Sequence, residues 1–117
     1  MSKQLGKRLD KTVRSLGRGS RFEEYNLIHL TNLWLAACYA YYERDDPFMG
    51  DGLFDSLTKY LLERHGDLKD AGVWHVDEFF PVDALEAGTG YHLHGKYPTV
   101  IQDCVFDIRR AGDGLGL

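Results

Sequence analysis

The strongest constraint in this chain is the run Leu33–Tyr42, ten residues that are apolar nearly all round and sit inside a longer helical pattern. From Glu23 to about Arg44, Leu27, Leu30, Trp34, Cys38 and Tyr41 follow one stripe, with Ile28, Leu35 and Tyr42 beside it. A helix apolar on every side must be packed on several sides. Ten residues fall well short of the roughly 20 that a helix needs to cross a bilayer. The pattern therefore predicts a central helix buried in a protein core. Asp45-Asp46-Pro47 ends it, because proline disfavours helical geometry in the residue before it and cannot itself extend the ladder.

A second helix is expected from Asp51, a good N-cap, to about His65, with Leu53, Leu57, Tyr60 and Leu61 inward and Gly66 as its stop. The two helices form a hairpin. Residues 66 to 97 read as irregular, rich in Gly and aromatics, with one short helix from Pro81 to Ala87 closed by Gly88. From Pro98 to Arg110, Val100, Ile101, Cys104, Val105 and Ile108 lie at helical spacing, so a third helix is expected, terminated by Gly112. The fold class that follows is mainly α: a small helical domain on a central hairpin, with an irregular segment and a C-terminal helix. At 117 residues this is one domain. Residues 1–21 read as a basic flexible arm, 22–112 as the helical domain and 113–117 as a flexible tail.

Charge divides along the same lines. Lys3, Lys7, Arg8, Lys11, Arg14, Arg18 and Arg21 face only Asp10 within the arm, giving +6 there and −10 over the remainder. Such an arm attracts phosphate or another anionic surface by a salt-sensitive, sequence-independent attraction, and can become helical on contact. A solvated tail that aids solubility is the plainer reading, since the arm carries no aromatic residues to stack on bases. DNA or a protein is the expected partner of these seven residues, and no membrane contact is expected. Without an apolar secretory segment at the charged amino terminus, a cytoplasmic location is expected. Cys38 and Cys104, both in apolar sequence, read as buried reduced thiols, with a bridge between them left open.

Chemistry concentrates between Tyr41 and Leu57. Tyr41 and Tyr42 end one helix, and Asp51, Phe54 and Asp55 fall at i, i+3 and i+4 on the next. An aromatic ring can stack on a flat cationic heterocycle, while carboxylates accept hydrogen bonds from sugar hydroxyls or an amide. The competing reading makes Asp51 an N-cap, Phe54 a core residue and the tyrosines ordinary packing.

This stretch resembles the helical N-terminal domain of bacterial NAD-dependent DNA ligases, whose signature is an aromatic pair, an Asp-x-Pro turn and then Asp-x-x-Tyr-Asp-x-Leu. Tyr41-Tyr42, Asp45-Asp46-Pro47 and Asp51-Gly52-Leu53-Phe54-Asp55-Ser56-Leu57 match it in spacing, and Leu61 to His65 resembles the family's closing Leu-Glu-x-x-His segment. The resemblance covers about 45 residues. It implies that Tyr41, Tyr42, Asp51, Phe54 and Asp55 meet NAD or nicotinamide mononucleotide. Tyr42 stands where the family usually has His, and Phe54 lacks the family's Tyr hydroxyl; stacking survives both changes, whereas hydrogen bonding to the ligand weakens. The family's catalytic Lys-x-Asp-Gly motif does not occur, and Lys69-Asp70-Ala71-Gly72 has similar letters in the wrong order. The resemblance thus implies a non-catalytic accessory module, in a detached format that phage genomes use, acting with a partner in DNA metabolism. The alternative is a structural or protein-interaction module that reuses the fold without nucleotide binding.

Other chemistry is thin. His92 and His94 would share a side on an extended segment and suit zinc, but a His pair in a Gly-flanked loop is more often structural, and no metal is expected. There is no P-loop, no His-Glu-x-x-His and no G-x-G-x-x-G, and the carboxylate pairs are most simply explained by surface solvation.

Overall fold

The computed structural model describes the backbone of residues 2–88 and 90–114, and the side chains of residues 5–88, 90 and 92–106. The domain is mainly α, as the periodicity predicts, and no strand occurs among the described residues. Its helices are α1 (Ser2–Gly17), α2 (Leu27–Cys38), α3 (Asp51–Glu63), α4 (His65–Leu68), α5 (Val76–Phe79), α6 (Val82–Ala87) and α7 (Thr99–Gly114).

The central helix is shorter than its sequence pattern. Asn26 caps α2, its Oδ1 accepting from the His29 amide at 2.8 Å, which satisfies one of the orphan amides of the first turn. Phe22–Glu24 upstream is a separate 3-10 turn. Leu30, Leu33, Trp34, Leu35, Ala36, Ala37 and Cys38 are all buried, because α3 covers one side of α2 and α7 another. After Cys38 the helix widens into a π-turn over Tyr39–Glu43. There the Arg44 amide reaches back to the Tyr39 carbonyl at 3.2 Å and the Asp46 amide to the Ala40 carbonyl at 2.9 Å. Asp45, at φ 49°, then turns the chain in a left-handed conformation that Asp tolerates better than most residues.

The hairpin partner α3 starts at Asp51, but its N-cap is Gly50; the expectation that Asp51 caps the helix is corrected. The helix breaks at Arg64, and Gly66 lies inside α4 instead of ending α3. Between 66 and 97 the expected irregular path contains two further short helices, α4 and α5, besides α6. In α6, Pro81 is the N-cap and Gly88 closes the helix at φ 68°, the left-handed value glycine adopts without strain. Val76, Phe79, Phe80, Leu85, Leu93 and Tyr97 send side chains into the core from this segment. The last helix, α7, runs past Gly112 to Gly114, so the expected loose tail begins too early at 113; residues 115–117 lie outside the described residues.

The larger correction concerns the arm. Residues 2–17 are not a free tail but a helix packed chiefly along α7. Leu5, Leu9, Val13 and Leu16, at i, i+4, i+8 and i+11, form an apolar stripe, with Leu9 fully buried. Burying a leucine is worth roughly 1.5–3 kcal/mol, enough to hold a helix that charge alone would leave in solvent. The stripe is present in the sequence but is masked by the density of Lys and Arg around it.

One polar contact ties α1 to α2. Thr12 Oγ1 donates to the Arg8 carbonyl at 2.8 Å, so its single hydrogen is committed, and in the 2.7 Å contact with His29 Nε2 the imidazole must be the donor. Burial, and then the nearby Arg8 guanidinium, hold the His29 pKa below its ordinary value. Lys11 on α1 and Glu24 before α2 border the same groove. A folded state that binds this proton less readily than the unfolded chain loses stability on acidification. We expect the His29 contribution to be intact above pH 6.5, the ordinary value, and to decline as the pH falls from there toward the lowered folded-state pKa. Urea midpoints measured from pH 8 to pH 5 check this, and His29→Gln, which keeps a neutral donor, should flatten the decline.

Candidate functional site

The five residues selected from the sequence line one cavity. Tyr41, Tyr42, Asp51, Phe54 and Asp55 surround a pocket of about 270 Å³, whose rim is completed by Pro47, Phe48 and Met49 from the turn between α2 and α3. The π-turn at the end of α2 brings the two tyrosines to one wall, and the first turn of α3 supplies the opposite one. π-turns are rare insertions that recur at functional sites.

The tyrosines do not act alike. Their ring centroids are 4.9 Å apart with planes at 77°, so they cannot both lie flat on a single planar ligand. One presents its face, and the other meets the ligand's edge. Tyr41 is 49% exposed, while Tyr42 is half-buried and backed by Gly90. A Cβ at Gly90 would lie 2.8 Å from Cys38 Sγ and 3.3 Å from Tyr42 Cδ2, so the loop approaches α2 this closely only because glycine has no side chain. Sequence reasoning missed this role of Gly90.

Phe54 sits lower in the site. Its ring stacks on the buried Trp34 indole at 6.1 Å and 14°. Trp34 Nε1 donates to Thr58 Oγ1 at 2.9 Å, and Thr58 Oγ1 donates to the Phe54 carbonyl at 2.8 Å. Every polar atom of this relay is satisfied, and it fixes the rotation of α3 about α2.

The carboxylates stand at the mouth. Asp51 and Asp55 are exposed, one turn apart, and form no ion pair with another described residue. Asp51 benefits from the positive end of the α3 dipole, whereas two like charges at i and i+4 disfavour the helix by about 0.2–0.5 kcal/mol. A cationic guest relieves that repulsion. The site thus combines an aromatic wall, an apolar floor and paired acids, which suits a flat, positively charged ring bearing hydroxyls.

The histidines do not converge. Tyr91–Leu93 is a 3-10 turn, so the extended geometry that would align His92 with His94 is absent. His92 Nε2 donates to the Phe79 carbonyl at 3.0 Å, while exposed His94 pairs with Glu43 at 2.9 Å. Among the described residues no cluster of three His, Cys, Asp or Glu is placed to hold a metal ion. Cys38 and Cys104 are buried and not joined by a disulfide, and burial pushes the Cys38 thiol up from its ordinary value. No helix of the described residues is long and apolar enough to cross a membrane.

No family model, curated protein or solved structure matches this chain.

Because the Trp34–Thr58–Phe54 relay shapes the floor of the pocket, removing the Thr58 hydroxyl should be felt. We expect Thr58→Val to leave the indole N–H buried without a partner and to cost about 1–3 kcal/mol, read as a lower denaturant midpoint at unchanged m-value.

Proposed function

We propose that this protein is a non-catalytic binding module whose hairpin pocket takes the nicotinamide mononucleotide half of NAD. The observation that carries this reading is the convergence of Tyr41, Tyr42, Asp51, Phe54 and Asp55, chosen by motif, on one cavity. Its volume of about 270 Å³ lies near the lower end of ordinary ligand sites, roughly 300–1,000 Å³. That suits one ring with its sugar and leaves the adenylate half outside. One tyrosine stacks on the cationic pyridinium, the other borders it, and Asp51 and Asp55 accept from ribose hydroxyls or the carboxamide. The chain offers no Lys-x-Asp-Gly nucleophile, so nucleotidyl transfer belongs to a partner in DNA metabolism. Two unbridged thiols agree with a cytoplasmic setting.

Without a catalytic domain to complete the site, affinity should be weak, about 1 mM, equivalent to roughly −4 kcal/mol. Isothermal titration should give similar affinities for nicotinamide mononucleotide and NAD, because only the shared half is held. Tyr41→Ala and Asp55→Ala should each weaken binding about fivefold or more, consistent with loss of a cation–π contact or a charged hydrogen bond. An absence of heat with both ligands at millimolar concentration removes the reading.

A second reading has its own support. Trp74 is 67% exposed, and Ile28 and Val100 are each 44% exposed; all three border one shallow groove of about 150 Å³ between α2, the segment after α4 and the start of α7. Large apolar side chains clustered in this way suit a protein partner. On that reading a stoichiometric partner is retained in the presence of excess NAD and lost with Trp74→Ala.

A further inference from the structure

We propose that the exposed face of α1 binds the sugar–phosphate backbone of double-helical nucleic acid. This surface is separate from the hairpin pocket and independent of what the pocket holds. Lys7, Lys11 and Arg14 are exposed at i, i+4 and i+7 on α1, which places them on one face of the helix in a row about 10 Å long, and Arg18 is exposed in the turn that follows the helix. Arg8 flanks the row and, with Lys11, borders an open groove of about 470 Å³ where Ser15 and Asn32 add neutral donors for phosphate oxygens and Glu24 places a carboxylate on the lining.

Little in the protein neutralises this row. Arg14 pairs with Asp10 at 3.1 Å, whereas Lys7, Arg8, Lys11 and Arg18 form no ion pair with another described residue. Like charges three and four residues apart oppose the helix they stand on, and a polyanion lying along the row reverses the sign of that energy. The rest of the chain carries −10, so a phosphate backbone is repelled elsewhere and the molecule approaches with α1 forward. The row is also held in place, because the opposite face of α1 is buried and Leu9 has no exposed surface.

That burial discriminates among anionic partners. A basic amphipathic helix seats itself on a membrane through its apolar face, and here that face is already covered by the domain. A single strand is gripped by rings that stack on its bases. The nearest rings, Tyr25 and His29, are half-buried and stack on each other at 5.7 Å and 24°. An acidic protein would be anchored by a cluster of aromatic or aliphatic hot spots, whereas among the described residues the exposed large apolar side chain at this groove is Ile28 alone. A row of charge with no exposed ring to stack and little apolar anchorage points to the outside of a duplex.

Fluorescence anisotropy of the full chain with a labelled 20-base-pair duplex tests this. Four phosphate contacts predict a log–log salt slope near −3.6, or roughly 150-fold weaker binding at 200 mM than at 50 mM salt. Lys7→Gln with Lys11→Gln should halve the slope without lowering the thermal melt, since both side chains are exposed. The proposal is overturned by a slope that the double variant does not change. It is equally overturned if a single strand, phosphatidylserine vesicles or polyglutamate of matched charge binds as tightly as the duplex.

Discussion

Trp34 is the residue on which the rest of the molecule depends. It is the largest fully buried side chain, and it touches three parts of the chain that are remote in sequence: Phe54 on α3, Phe80 after α5 and His92 in the last turn before α7. An indole in a core needs a partner for its one N–H, and Thr58 supplies it. The bond is directional in a way that apolar contact is not. It sets which residues of α3 face α2, and hence which of them open toward the cavity.

The cavity is the space left by this arrangement. α2 and α3 are held together by the Trp34 layer, while the π-turn and the Asp45–Gly50 connection swing the chain outward before it returns. The aromatic wall comes from the π-turn, and the apolar floor and the acidic mouth both come from the start of α3. They meet because the hairpin folds them over one another, and the later segment adds Gly88 to the lining and Gly90 behind Tyr42.

That locality explains what could be read in advance. The hairpin, α7, α6 with its Gly88 closure and the set of residues round the pocket follow from periodicity and from a motif contained within Tyr41–Leu57. What was hidden is nonlocal or masked. The π-turn leaves no mark in the spacing of Tyr39–Glu43, since a widened turn and an ordinary one share the same apolar letters. Gly50, with no side chain to offer, took the capping position in place of the better-suited Asp51. Gly90 looks like one loop glycine among several until Cys38 is placed against it. The stripe Leu5, Leu9, Val13 and Leu16 is plain once a partner helix is known, but seven basic residues outweigh it in any reading by composition.

The clasp of α1 on α7 joins the beginning of the described chain to its end. α1 packs chiefly on α7, so its leucines lack that cover until α7 has emerged. Throughout synthesis the growing chain therefore carries an unsheltered basic amphipathic segment. Closure of that first segment against the last is the step that turns a loosely gathered hairpin into a finished domain.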